Sequence, residues 1–206
     1  MNETDPVLKQ ALGPGWNSLA PVIQAHYGLT PFTDEQIHLK GIMDRVSYSP
    51  VATLLMPIAV FVGALVPYRG QDVPVQAINQ SIPDKPEYFW TRTFHFPGKK
   101  PYTFHSAMIC TGDGQLTEYV RFGLGIRLAV TVRNGGLIER DLGYVWKIGR
   151  WSLPLPIHLL FGRSYIEEMP ISDNEYQMKW KVTHPLFGEM FAYSGRFAIV
   201  SRPVNR

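Results

Sequence analysis

Short alternating segments separated by turn residues occupy the chain after residue 72. The stretches PGKK, TGDG, RNGG and SDNE lie between runs in which apolar and polar residues alternate, and Asn-Gly is a strong hairpin signal. Successive hairpins predict an antiparallel meander. The predicted strands cover residues 73–80, 87–96, 101–110, 115–122, 125–133, 137–147, 163–171, 175–183 and 189–200.

Nine strands are too many for a flat sheet, because strand twist curls a large antiparallel sheet towards a half-barrel or a barrel. A sheet with such strong curvature has a concave side that other residues must fill. The stretch WSLPLPIHLLFG, at residues 151–162, is rich in proline and cannot donate regularly to a sheet ladder. We therefore expect it to cross one mouth of the curved sheet.

The most apolar stretch of the chain is SPVATLLMPIAVFVGALVP, at residues 49–67. A helix over residues 50–65 would be about 24 Å long, short of the roughly 30 Å of a bilayer core, and Pro57 would interrupt its hydrogen bonds. We expect a buried helix that the sheet wraps. A helix lying on a membrane surface and a spanning helix are the less favoured alternatives.

A single α+β domain over residues 1–206 follows from these patterns, with a mainly helical layer at 1–70 and the antiparallel sheet at 71–206. A length of 206 residues is enough to bury a full core. The stretch GWNSLAPVIQAHYG predicts a short amphipathic helix, capped by Asn17 or Ser18 and ended by Gly28.

The charge pattern does not indicate nucleic-acid binding. The formal net charge is +3, but the basic residues are spread along the sequence, and the longest basic run is Lys99-Lys100. Cys110 is the one cysteine, so an internal disulfide is excluded and no zinc pattern exists. The start, MNETDPVLKQ, does not resemble a secretory signal, and we expect a cytoplasmic protein without a cofactor.

Four predicted strands place a polar residue on the face that carries their large apolar residues. These polar residues are Arg92, Ser106, Glu118 and Glu167. The strand IRLAVTVR, by contrast, keeps its polar residues off the apolar face. Because a buried ion needs a partner, we expect Arg92 to pair with Glu118, Glu167 or both.

Three interpretations of this inward polar set remain open. It is a structural ion pair, the polar floor of an apolar cavity that holds a ligand head group, or a carboxylate with a shifted pKa for acid–base chemistry. The predicted ligand-binding residues are Trp90, Arg92, Ser106, Glu118, Tyr165, Glu167, Trp180 and Tyr193. The candidate catalytic residues are Glu118, Glu167 and His184.

The histidines give weaker signals. His184 precedes Pro185, and we expect a role in a turn, although an imidazole there would also be able to titrate near neutral pH. His95 and His105 fall on neighbouring strands without a placed carboxylate, so no metal site is predicted. The sequence contains no phosphate-binding loop and no serine nucleophile elbow.

Several stretches together resemble an uncharacterised bacterial family, the domain of unknown function numbered four-one-six-six. They are LGPGWNSLAPVIQAHYG, WTRTF followed by Ser106, TEYVRFGLGIRLAVTVRNGGL, WSLPLPIHLL, Glu167 and HPLFGEMFAYSG. The similarity runs from Leu12 to about Phe197, and the chain departs from it in the extended SIPDKPEYFW and in an apolar first half. The resemblance implies no established activity, but the family also occurs fused to proteins that resemble saccharopine dehydrogenase or thiol oxidoreductases.

We therefore expect a protein that binds a small hydrophobic or lipid-like molecule, with Arg92 as an anion anchor partnered by Glu118 and Glu167. An enzyme of isomerase, cyclase or hydrolase type, using Glu118 or Glu167 as general base, is the second hypothesis. An interaction module that docks on an oxidoreductase partner is the third.

Overall fold

The computed structural model describes residues 2–201 and contains a closed antiparallel β-barrel. Each barrel strand pairs with two neighbours, so the sheet closes on itself. The strands are β1 (Gln36–Tyr48), β2 (Gly70–Ser81), β3 (Tyr88–Phe94), β4 (Tyr102–Gly112), β5 (Gln115–Tyr119), β6 (Leu124–Arg133), β7 (Gly136–Ile148), β8 (Trp151–Leu155), β9 (Arg163–Pro170), β10 (Glu175–His184) and β11 (Gly188–Ser201). All but β8 belong to the barrel, which therefore has ten strands.

The nine predicted strands each match an observed strand within a few residues. The predicted strands do not include residues 36–48, where β1 lies. This strand pairs with both β2 and β11 and so joins the first and last parts of the sheet. Its presence is the reason that the sheet forms a complete barrel and not a half-barrel.

The proline-rich segment at 151–162 differs in part from the expectation. Its first residues form β8, which pairs with β7 from Tyr144↔Leu155 to Ile148↔Trp151. Pro154 is tolerated there because β8 is an edge strand that needs to donate on one side only. The chain then forms α4 (His158–Phe161) beside one end of the barrel.

The two ends of the barrel carry different helices. At one end lie α1 (Val7–Leu12) and α2 (Pro21–His26), joined by a 3₁₀ helix at Gly13–Ser18. Asn17 and Ser18 belong to that 3₁₀ helix, so the predicted cap is wrong, and Ala20 precedes the first residue of α2. Fully buried Val22 and Ile23 fix α2 in the core. We call this end the α2 end.

The opposite end, which we call the α3 end, carries α3 (Pro50–Phe61) and α4. The Ser49 hydroxyl accepts a hydrogen bond from the Ala52 backbone N–H at 3.1 Å, which caps α3. Only one face of α3 is buried, through Ala52, Met56 and Ala59. The sheet therefore does not wrap this helix, whose opposite face lies at the protein surface. Within residues 2–201, no helix combines the length and apolarity that crossing a membrane requires.

Candidate functional site

An ion pair lies inside the barrel on three adjacent strands. Arg92 on β3 donates from Nη2 to Ser106 Oγ on β4 at 2.6 Å and to Glu118 Oε1 on β5 at 2.7 Å. The side chains of Arg92 and Glu118 are each 12% exposed, and the guanidinium lies 4.2 Å from the centre of the Trp90 ring. The predicted pairing of Arg92 with Glu118 is thus confirmed.

Glu167, in contrast, lies outside the barrel. Its Oε2 accepts hydrogen bonds from Arg133 Nη2 at 2.9 Å and from the Tyr165 hydroxyl at 3.0 Å. The predicted inward face of β9 is therefore wrong. The inward residues are Ser164, Ile166 and Glu168, and the larger apolar side chains of Tyr165 and Met169 led the prediction to the other face.

Glu168 and Glu139 bring two further carboxyl groups into the interior, and each residue is 2% exposed. Glu139 lies on β7 and Glu168 on the neighbouring β9, where Glu139 is opposite Ile166 and Glu168 is opposite Leu137. Within residues 2–201, Glu139 Oε1 has no hydrogen-bond partner. Glu139 is not among the residues predicted to face inward, although it shares a strand face with the apolar Leu137 and the same alternation identifies it.

Both carboxyl groups favour the protonated form. Burial raises the pKa of Glu139 well above its ordinary value, and the nearby Glu168 and Glu118 raise it further. Burial also raises the pKa of Glu168 to about 8, against the lowering effects of the Tyr27 hydroxyl and of Arg92. The interior therefore holds one ion pair and two carboxyl groups whose ionisation burial disfavours.

His26 lies at the α2 end of the polar cluster. Its Nδ1 lies 3.3 Å from Asn79 Nδ2 and 3.2 Å from the Tyr176 hydroxyl, and its Nε2 lies 4.0 Å from Glu168 Oε1. Burial, followed by the positive charge of Arg92, lowers the pKa of His26 to about 3. The imidazole is therefore neutral and contributes only hydrogen bonds.

A cavity of about 190 Å³ lies between this polar cluster and the α3 end. Apolar side chains of α3, α4 and the barrel strands form most of its wall, and its guanidinium and carboxyl groups come from Arg92, Glu118, Glu139 and Glu168. The predicted binding residues Trp90, Trp180 and Tyr193 also line it, whereas Ser106, Tyr165 and Glu167 do not. Ser106 contributes indirectly, because its hydroxyl accepts a hydrogen bond from Arg92, which does line the cavity.

His184 has the structural role that its position before a proline predicted. The Leu186 backbone N–H donates to its Nδ1 at 3.1 Å, so Nε2 carries the proton and donates to the Leu159 carbonyl at 3.0 Å. The side chain thus ties the β10–β11 turn to α4. It does not line the cavity.

The fold and the site together define a closed antiparallel β-barrel protein with a buried polar cluster inside the barrel. Residues 19–197 match the model of the family described as Domain of unknown function (DUF4166), and the chain belongs to that family. The resemblance identified in the sequence is therefore confirmed. Searches of curated proteins and of solved structures found no significant match.

Proposed function

We propose that the protein binds a small hydrophobic molecule with an uncharged polar end in the cavity of its barrel. The observation that carries this proposal is the position of Glu139. Its carboxyl group is buried, borders the cavity and leaves one oxygen without a hydrogen-bond partner among residues 2–201. An unsatisfied buried polar group is costly, and a ligand that supplies the missing partner offsets that cost.

The apolar wall supports a mostly hydrophobic ligand. Phe104, Met178 and Phe191 are among the side chains that border the cavity. A dry cavity of about 150 Å³ is known to accept benzene, so a volume of about 190 Å³ accommodates a compact molecule or the end of a longer chain.

The polar floor favours a hydroxyl or a carbonyl over an anion. Arg92 is the anion anchor predicted from the sequence, but Glu118 already balances its charge and Ser106 accepts a further hydrogen bond from it. A carboxylate ligand would add a negative charge beside Glu118. The neutral carboxyl groups of Glu139 and Glu168 both donate and accept, which suits an uncharged polar end.

Native mass spectrometry of the purified protein, followed by titration with a matched ligand series, tests this proposal. The series has one apolar body that ends in a hydroxyl, a ketone or a carboxylate. We expect the hydroxyl and ketone compounds to bind more tightly than the carboxylate, and Glu139→Leu to weaken them at least about tenfold through loss of the hydrogen-bonding group. Glu167→Leu, on the outer face of the barrel, is the matched control and should leave binding unchanged. Equal binding by wild type and Glu139→Leu would contradict the proposal.

General acid–base catalysis is a second candidate, favoured by the raised pKa values of two carboxyl groups on adjacent strands. An isomerase would use one carboxyl group to donate a proton while a neighbouring group accepts one. Mass spectrometry and NMR of the incubated ligands would reveal conversion, which Glu139→Gln should abolish while binding is retained. The cytoplasmic location and the oxidoreductase partner stay predictions.

A further inference from the structure

We infer that the α3 end of the barrel docks on the surface of a lipid bilayer that contains anionic headgroups. This inference goes beyond ligand binding, because it depends on the outer surface of one end of the molecule and not on the cavity. The surface consists of the connections at residues 49–69, 95–101, 120–123, 149–150, 156–162 and 185–187. The antiparallel order of the paired strands brings the first four and the last of these connections to the same end, and the hydrogen bond between His184 and the Leu159 carbonyl holds residues 156–162 there.

Helix α3 presents an apolar face to solvent at this end. Leu54 is 80% exposed, and Ile58 and Phe61 are exposed on the same side of the helix. The Phe61 ring stacks on that of Phe122, with 5.3 Å between the ring centres, and Phe122 is exposed as well. The exposed apolar surface thus continues from α3 to the β5–β6 connection.

The β7–β8 hairpin adds a second apolar surface. Trp146 pairs with Leu153 and Ile148 pairs with Trp151, so these four side chains share one face of the hairpin. All four are exposed, and Trp151 is 64% exposed. The Trp146 Nε1 donates to the Phe122 carbonyl at 2.9 Å, which joins the hairpin to the Phe61–Phe122 contact. Tryptophan is enriched where proteins meet the headgroup layer of a bilayer.

The third apolar element is formed by α4 and the β10–β11 turn. Leu159, Leu160 and Phe187 are exposed, and Leu186 is 82% exposed. His184 holds the two segments together through its contacts with the Leu159 and Leu186 backbones. The exposed apolar residues therefore lie on three separate elements at the α3 end of the barrel, which hydrogen bonds and ring contacts hold in place. This arrangement suits a binding partner with a broad, deformable surface.

The connections at the two ends of the barrel differ in their charged residues. Within the described chain, the six connections at the α3 end contain no Asp or Glu, and their Lys and Arg residues are Arg69, Lys99, Lys100, Arg121 and Arg150. The strand connections at the α2 end, residues 82–87, 113–114, 134–135 and 171–174, contain Asp84, Lys85, Glu87, Asp113 and Asp173.

Two acidic residues lie just inside strands at the α3 end. They are Asp72 on β2 and Glu189 on β11, and Glu189 pairs with Arg45 at 3.6 Å. The apolar protrusions therefore lie within a predominantly basic end of the molecule.

A bilayer with anionic lipids complements both properties, since exposed apolar side chains enter the headgroup boundary and basic residues meet the negative surface. A second copy of the chain would bring two basic surfaces together, which like-charge repulsion disfavours. An acidic protein is the remaining alternative partner for this surface. Experiments with protein-free lipid vesicles distinguish it from a bilayer.

The test is sedimentation of the full chain with phosphatidylcholine vesicles, with and without phosphatidylglycerol, combined with tryptophan fluorescence. We expect binding to the phosphatidylglycerol vesicles, a blue shift of the emission and weaker binding at high salt. The pair Leu54→Ser and Trp151→Ser should reduce binding at least about tenfold. Ile171→Ser removes an exposed apolar side chain at the α2 end and should have no effect. Circular dichroism checks that each variant is folded.

Charge reversal gives an independent readout. Lys99→Glu with Arg150→Glu should weaken binding to the anionic vesicles, whereas Lys179→Glu with Lys181→Glu, on the barrel wall, should have little effect. Failure of wild type to bind anionic vesicles, or equal binding by all variants, would overturn the inference. A dimer in lipid-free solution that Leu54→Ser dissociates would assign the surface to a second copy. Glu139→Leu should still bind vesicles, so the docking inference and the proposed ligand binding fail separately.

Discussion

Arg92 and Glu118 form a 2.7 Å ion pair inside the barrel, across the intervening strand β4, whose Ser106 also accepts a hydrogen bond from Arg92. Both side chains are only 12% exposed. Burial lowers the pKa of Arg92, but the Glu118 carboxylate, together with Tyr193 and Tyr27, raises it, so the net change is upward. The two charges therefore stabilise each other in a place where either one alone would be strongly unfavourable.

Removal of one partner of this pair should be far more damaging than removal of both. We expect Glu118→Ala to lower the free energy of unfolding by about 3–5 kcal/mol, because it leaves the Arg92 charge buried and unpaired. Arg92→Met combined with Glu118→Leu should lower it by much less. Urea unfolding measures both values. The exposed pair of Arg196 and Asp44, at 3.4 Å, is the control, and Asp44→Ala should change stability by less than about 1 kcal/mol. Equal losses for the single and double interior variants would show that the ion pair is not coupled.

Glu168 should make the protein less stable as the pH rises. Its pKa is about 8 in the folded protein against 4.5 as the ordinary value, so the folded state retains a proton that the unfolded chain loses over that range. The stabilisation is fully present below about pH 4.5 and is lost as the pH rises through about 8, with a slope of up to about 1.4 kcal/mol per pH unit. Glu139 contributes in the same direction.

Glu168→Gln removes this titration. Urea unfolding across the pH range should therefore show a smaller decline in stability for the variant than for wild type between about pH 5 and about pH 8. Glu167→Gln changes the adjacent carboxyl group on the outer face and should retain the wild-type slope. Identical slopes for wild type and Glu168→Gln would mean that Glu168 is ionised in the folded state.

His26 should act in the opposite direction at lower pH. Its pKa is about 3 in the folded protein and 6.5 as the ordinary value, so the unfolded chain takes up a proton that the folded state excludes. The stability due to the neutral imidazole is present above about pH 6.5 and is lost as the pH falls towards 3. His26→Gln should flatten the acid limb of the stability profile, and NMR of the wild-type imidazole should show no titration between about pH 5 and about pH 7.

Gly123 should tolerate no side chain, for a reason beyond its backbone conformation. Gly123 and Gly98 both have positive φ, 76° and 67°. A Cβ at Gly123 would lie 2.4 Å from the Lys147 carbonyl oxygen, whereas one at Gly98 would meet nothing within 4 Å. We expect Gly98→Ala to cost about 1 kcal/mol through its backbone alone. Gly123→Ala should cost clearly more, and thermal unfolding of the two variants would reveal the difference as a lower Tm.

The amino-acid sequence by itself determined the nine predicted strands, the hairpin turns and the inward position of Arg92, Ser106 and Glu118. These features depend on side-chain alternation and on the turn preferences of Gly and Asn, which act between residues close in the chain. The predicted start of the apolar helix at residue 50 likewise matches the first residue of α3.

Only the tertiary structure decided which glutamate of the pair Glu167 and Glu168 faces inward, because that choice depends on the register of β9 with β7 and β10. Barrel closure through β1 placed Glu139, Glu168 and His26 around one cluster, although they are far apart in sequence. The barrel also brings Lys99, Arg121 and Arg150 together at the α3 end, although they are far apart in the sequence. Such groupings depend on strand pairing between distant segments, and no local pattern of residues encodes them.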